Sequence, residues 1–176
     1  MISTTLRLII CILFPVLSFS QIKLEKISIA DNKVEILAPK KLSKMTADMW
    51  AAKYGQRQYP SLVLSDENGE VNLIADLLQQ PIEEKQLPDF KNFQITSLKK
   101  RHPEMVVLED SIKTVNNSKV AFIKFTSQAS DQKIFNYYFF TILEGKVLFF
   151  TFNCTDNLRT KWEKSADEIV NSIKIQ

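Results

Sequence analysis

Covalent catalysis needs a nucleophile with a base to activate it, and the sequence offers one candidate set: Cys154, His102 and Asp156. A cysteine at a strand end beside a helix start could have its thiol pKa lowered. However, Cys154 alternates with Phe150 and Phe152, which places it on an apolar strand face, and His102 closes the basic run Lys99-Lys100-Arg101-His102. The three are not expected to act together. The chain has no histidine pair, no Cys-x-x-Cys and no His-Glu-x-x-His, so no zinc site is expected. Asp66-Glu67-Asn68-Gly69 is too short for a calcium loop and reads as a turn. Glu83-Glu84 and Asp66-Glu67 lie in polar connecting segments, where solvation is expected rather than a glycosidase cleft. Three glycines leave no room for a phosphate-cradling loop, and no Gly-x-Ser-x-Gly elbow occurs. These side chains predict a non-enzymatic protein with no catalytic residue, no metal and no cofactor.

Binding offers more. The cluster from Lys99 to His102 could contact phosphates, but at the end of a helix it compensates the dipole. Arg57 and Tyr59 follow Gly55 in an expected loop and are the candidate partner-binding residues. Asn116-Asn117-Ser118 and Asn153-Cys154-Thr155 have the form of glycosylation sequons, and glycosylation is not predicted at either.

The first twenty residues, MISTTLRLIICILFPVLSFS, have a basic start at Arg7, an apolar run from Leu8 to Leu17 and small residues at Ser18 and Ser20. This pattern predicts a cleavable signal peptide, 1–20, followed by one domain, 21–176. The apolar run is shorter than the roughly 20 residues that span a bilayer, so the mature chain is not expected to cross one. Cys11 follows Ile10 in the first half of that run, which does not suit lipidation. Loss of Arg7 leaves 22 Lys+Arg against 20 Asp+Glu, a net charge of +2, and no nucleic-acid partner is expected. Cys154 then remains as the one cysteine, so no disulfide supports the fold.

Strands are expected at Lys26–Ile29 and Lys33–Leu37, joined by Asp31-Asn32, with Pro39 ending the second. The spacing of Met45, Met49, Trp50 and Tyr54 predicts a helix over 43–54, capped by Gly55. SLVLS and VNLIADL form a hairpin about Asp66–Gly69, and 79–86 reads as a polar approach to a helix over 88–101. Leu87, Phe90, Ile95 and Leu98 supply that helix's buried stripe, with Phe93 at its edge. Four strands follow at Met105–Val115, Lys119–Gln128, Lys133–Leu143 and Lys146–Cys154, antiparallel because their loops are short. In the last two, both faces carry large apolar groups, so both faces of the sheet must be covered. A terminal helix, with Asp156 as its N-cap, carries Trp162, Ala166, Ile169, Val170 and Ile173 along one side.

This element order, the aromatic strand VLFFTFNC, the Trp162 helix and the closing Asn171-Ser172-Ile173 resemble the PsbP-like fold. That fold is shared by a peripheral photosystem II subunit, a Ran-binding nuclear transport factor and many exported bacterial proteins. The resemblance implies an α+β protein: an α/β/α sandwich whose mainly antiparallel sheet is covered by helices on both faces. It carries over no catalytic residue. The expected role is an exported, periplasmic or secreted domain that binds a protein or cell-envelope component. A carrier of small apolar ligands and a hydrolase built from dispersed carboxylates remain alternatives. The signal-peptide pattern predicts that the exported form begins at Gln21. Intact-mass measurement checks this, and retention of residues 8–17 in a membrane fraction would contradict it.

Overall fold

Strand alternation dictates the architecture. The computed structural model describes residues 22–129 and 131–176, so the leader, Cys11 and the cleavage point before Gln21 lie outside the described residues. The chain forms β1 (Leu24–Ile29), β2 (Val34–Pro39), β3 (Ser43–Lys44), α1 (Ala47–Tyr54), β4 (Leu62–Ser65), β5 (Val71–Pro81) and α2 (Leu87–Arg101). Then come β6 (Val106–Val115), β7 (Ser118–Gln128), β8 (Lys133–Leu143), β9 (Lys146–Thr155), α3 (Arg159–Asn171) and β10 (Lys174–Ile175). Strands β3 to β9 make one seven-stranded antiparallel sheet in the order β3-β4-β5-β9-β8-β7-β6. A second sheet has the order β1-β2-β10.

On one face of the large sheet, Phe135, Tyr137 and Phe139 of β8 meet Leu148, Phe150, Phe152 and Cys154 of β9. Trp162, Ala166, Ile169 and Val170 of α3 cover this face together with Val34 and Ile36 of β2. On the other face, Ile123 and Phe125 of β7, Phe140 and Val147 pack beneath Leu87, Phe90 and Leu98 of α2. The chain is therefore an α/β/α sandwich, with a small sheet helping α3 on one side.

Several boundaries differ from expectation for local reasons. Helix α1 starts at Ala47 rather than Ser43, because Ser43 and Lys44 pair with Ser65 and Leu64 as an edge strand. Thr46 then caps the helix, its Oγ1 accepting from Met49 N at 3.1 Å. Met49, which shares the helical spacing of Met45 and Trp50, is exposed, and so is Phe93 of α2. Strand β5 runs on to Pro81 through the expected polar approach, because a register irregularity after Leu77 lets Pro81 meet Lys146. Asp156 does not cap α3. It opens a short 3-10 turn (Asp156–Leu158) without a capping bond, and sits 3.6 Å from Lys133 Nζ.

The second sheet was not legible as such, since β10 is a two-residue strand pairing with Glu35 and Val34. Ser172 explains how the end of α3 is held to it. Its Oγ accepts from Leu37 N at 2.8 Å and donates to Ile169 O at 2.6 Å. Asn116 Nδ2 donates to Ile173 O at 2.9 Å, tying the β6–β7 turn to the same point.

Trp162 is 1% exposed and packs on Phe152 with ring centroids 5.8 Å apart. Lys41 Nζ lies 4.4 Å from the centre of its ring. Truncating a buried tryptophan loses area and packing together, about 3–5 kcal/mol. Trp162→Ala should lower stability by that amount in urea unfolding followed by circular dichroism, whereas exposed Lys161→Ala should change it by less than about 0.5 kcal/mol.

Candidate functional site

The α2-covered face is not covered along its whole width. Helix α1 sits over the β4 side, where Trp50 packs with Met45 and Val63, and α2 packs on β7. Between them lies an open groove of about 760 Å³. Ile134, Asn136 and Tyr138 of β8 and Asn153 and Thr155 of β9 line it from the sheet, Met49, Lys53 and Tyr54 from α1, and Glu67 and Gly69 from the β4–β5 turn. His102 and the β7–β8 connection, with Gln128 and Gln132, also line it.

Strand pairing places Ser65, Asn72, Asn153, Asn136 and Phe125 in one row across β4, β5, β9, β8 and β7. Ser65 Oγ donates to Asn72 Oδ1 at 2.9 Å, and Asn72 Nδ2 donates to Asn153 Oδ1 at 2.8 Å and to Gly69 O at 3.1 Å. Asn136 Nδ2 donates to Ser127 Oγ at 3.1 Å and to Ile134 O at 3.3 Å. Asn72 is therefore saturated. Asn153 Nδ2 and Asn136 Oδ1 make no hydrogen bond within the described residues. They form a donor and an acceptor on adjacent strands at the base of the groove. An amide group needs the same pair of partners.

Aromatic groups frame this pair. Tyr138 is held edge-on by Phe125 at 5.0 Å and by Phe149 at 5.2 Å. Tyr54 lies 4.2 Å from Trp50, centre to centre. Burial pushes both phenols above their ordinary pKa, and the nearby Arg57 charge opposes that shift in each. Arg57 thus stands within electrostatic reach of two groove tyrosines. Its carbonyl accepts from Trp50 Nε1 at 2.9 Å while its side chain is exposed. Tyr59 is turned inward, donating to Met45 O and packing edge-on against Trp50 at 5.7 Å.

The Cys-His-Asp set is divided by the sheet. His102 lines the groove, whereas Cys154 lies on the face covered by α3. Burial, with the Asp156 and Glu163 carboxylates adding to it, pushes the Cys154 thiol up to about 12. His102 Nδ1 lies 3.7 Å from Glu104 at the surface. Glu83 pairs with Lys85 at 2.7 Å, and Asp66 Oδ1 accepts from Val71 N at 3.0 Å within its turn. Among the described residues, no group of three or more His, Cys, Asp or Glu side chains could hold a metal ion. Both sequon asparagines are engaged: Asn116 on Ile173 O and Asn153 on Asn72.

The asparagine row was missed from sequence. Its signal was present: Asn72, Asn136 and Asn153 interrupt strongly apolar strands in which asparagine is disfavoured. Only the register shows that they align. A second polar cluster lies on the α3 face, where Lys124, 7% exposed, meets Glu109 at 3.1 Å and Asp167 at 2.9 Å. Tyr137 lies beneath it, with Lys124 Nζ 5.0 Å from its ring centre. This cluster fastens α3 to the sheet.

Cys154 and Tyr137 are raised mainly by burial, and Lys124 is raised because its bonds to Asp167 and Glu109 outweigh burial. All three titrate upward of their unfolded values, so each favours the native state below its unfolded pKa. Each loses that contribution as pH rises toward its native value. For Cys154 the window runs from 9.0 to about 12. The urea midpoint should fall as pH rises from about 8.5 to 11, and less steeply in Cys154→Ala. At neutral pH native Cys154 should react with a thiol reagent at least about a hundredfold more slowly than in denaturant. Equal rates would contradict this.

No protein-family model matches the chain, and no curated protein matches it. Among solved structures it resembles cyanobacterial PsbP (CyanoP) from Synechocystis sp. PCC 6803, with a TM-score of 0.63 at 11% identity over 88% of this chain and 94% of that one. LpqN, described as involved in cell envelope biogenesis of Mycobacterium tuberculosis, aligns with a TM-score of 0.59 at 12% identity over 88% and 91% of the two chains. A Pseudomonas aeruginosa protein of unknown function, a putative regulator, gives 0.53 at 10% identity over 87% and 97%. The two-faced antiparallel sheet, the terminal tryptophan helix and these likenesses agree on the architecture: this chain has the PsbP-like fold.

Proposed function

We propose that the chain beyond residue 20 is an exported, non-enzymatic domain whose groove between α1 and α2 receives an extended, uncharged segment of a protein partner at the cell envelope. The observation carrying this reading is the open pair Asn153 Nδ2 and Asn136 Oδ1, with tyrosines on either side. Unpaired polar groups at the base of a groove favour a ligand that brings the complementary donor and acceptor, and a backbone amide brings both. The leader-like start supports export, and the envelope role described for LpqN is compatible with it.

Arg57 belongs at the rim of this groove, where its charge already reaches Tyr54 and Tyr138. Tyr59 contributes indirectly, by holding Trp50 and therefore α1 in place. A carrier role for the aromatic core is not favoured, because its rings pack on one another, Phe139 on Phe150 at 4.9 Å and Phe140 on Phe149 at 5.3 Å. The dispersed carboxylates stand in turns and surface pairs, which does not favour a hydrolase.

Asn153→Asp keeps the acceptor that Asn72 uses but replaces the free donor with a carboxylate oxygen. It should weaken capture of the envelope partner at least about tenfold, or 1.4 kcal/mol. Met49→Glu, on the exposed wall, should act alike, whereas Phe93→Glu, exposed on α2 outside the groove, should not. Capture unchanged by both groove variants would remove the groove from the reading.

A further inference from the structure

The seven-stranded sheet ends on β6, whose outer edge pairs with no strand among the described residues. The opposite edge is the two-residue β3, so β6, at ten residues, is the long one. A strand edge of that length presents backbone donors and acceptors that another strand can use. Its register with β7 skips Leu108, a bulge that breaks the ladder toward the N-terminal end. Regular pairing then runs from Glu109 to Val115, and its charged part is the segment Glu109-Asp110-Ser111-Ile112-Lys113.

Side chains alternate along that segment. Glu109, Ser111 and Lys113 pair with Lys124, Phe122 and Val120 and share the α3 face, whereas Asp110 and Ile112 share the α2 face. Two identical antiparallel edges meeting on a twofold axis perpendicular to the sheet must match like face to like face. Each allowed register therefore has one residue opposite its own copy. With Glu109, Asp110 or Lys113 on the axis, like charges stand opposite each other. With Ile112 on the axis, no charge pair forms. With Ser111 on the axis, Glu109 faces the second copy's Lys113, and Lys113 faces its Glu109. Both charge contacts in that register are attractive.

Lys113 has no carboxylate within salt-bridge distance in the described chain. Its Nζ donates to Asn171 Oδ1 at 2.7 Å and stands 5.1 Å from the centre of the Phe122 ring. Glu109 is 55% exposed despite its contact with Lys124, and so remains accessible to a second cation. On the α2 face, Asp110 is already bonded to Lys91 and needs no partner from the second copy. The edge is thus protected against indiscriminate strand pairing by its charges and bulge, yet those same charges complement a second copy.

We propose that β6 pairs antiparallel with β6 of a second copy of this chain about Ser111, joining the two seven-stranded sheets edge to edge. A five-residue ladder buries far less than the roughly 1,600 Å² of a standard interface, so the dimer should be weak, with a Kd on the order of 10–100 µM.

Sedimentation equilibrium of the exported protein at about 1 to 500 µM should show monomer passing to dimer, weakened by salt. Lys113→Glu alone and Glu109→Lys alone should each be monomeric over that range. Mixed in equal amounts they should dimerise, because one copy then carries Glu at both positions and the other Lys. A second measurement stands even if Glu109→Lys fails to fold after losing Lys124. Residues facing across the axis lie about 4.5–5.5 Å apart at Cα, within disulfide reach. Ser111→Cys should therefore cross-link to itself on mild oxidation, and Ile112→Cys and Thr114→Cys should not. A wild type that stays monomeric throughout would overturn the proposal, as would dimerisation unaffected by Lys113→Glu or cross-linking through Ile112→Cys instead of Ser111→Cys.

Discussion

The alternation of β8 and β9 is the constraint on which the rest of the structure depends. Phe135, Tyr137 and Phe139 point one way, and Tyr138, Phe140 and Ile142 the other. A strand with large apolar groups on both sides cannot present either face to water without a large free-energy penalty, about 25 cal/mol for each Å² left exposed. Two layers of cover are therefore obligatory. Helices α2 and α1 supply one, with the groove between them. On the other side α3 is not wide enough for a seven-stranded sheet, and β1, β2 and β10 complete it. Cys154 is free and buried, so no disulfide among the described residues joins these layers, and packing is supplemented by the Lys124 ion pairs and the Ser172 and Asn116 hydrogen bonds.

That constraint also explains which parts of the architecture were readable in advance. The four long strands, their short connections and their two apolar faces follow from period-two patterning, and the Trp162 stripe follows from helical spacing. These are local signals that tertiary context reinforced. Three things were not readable. The β3 and β10 strands are two residues long and exist because a neighbour accepts them. Met49 matched the helical stripe by spacing, but once Ser43 and Lys44 joined the sheet the helix began later and its exposed side included Met49. The extension of β5 to Pro81 depends on a register irregularity that no composition reveals.

The site residues divide in the same manner. The apolar strand face of Cys154 and the basic helix end of His102 already argue against their acting together, and the fold puts the sheet between them. Arg57 is marked in the sequence by following a glycine in a loop, and its proximity to Tyr54 and Tyr138 depends on how α1 lies over the sheet. Tyr59 came from the same loop yet turns inward, because the phenol and ring both find partners in Met45 and Trp50. The asparagines are the clearest case of a visible residue with an invisible role. Each is a mild anomaly in its own strand, and only cross-strand register turns three anomalies into one row.

The character of that row follows the helical cover above it. The row from β4 to β7 crosses four strand spacings, about 19 Å at 4.8 Å each. Its β7 member is Phe125, packed in the cluster that α2 covers, and there the row is apolar. At β8 and β9, where cover gives way to the groove, the same row becomes Asn136 and Asn153, and Asn72 beyond them on β5 is buried. An apolar residue at Asn136 or Asn153 would extend the apolar floor of the groove that Ile134 and Tyr138 already form. Asparagine satisfies part of its own hydrogen bonding along the row and leaves the remainder facing the opening. The groove is thus a consequence of a sheet wider than its helical cover. The residues that keep this gap compatible with water are also the ones chemically equipped to bind.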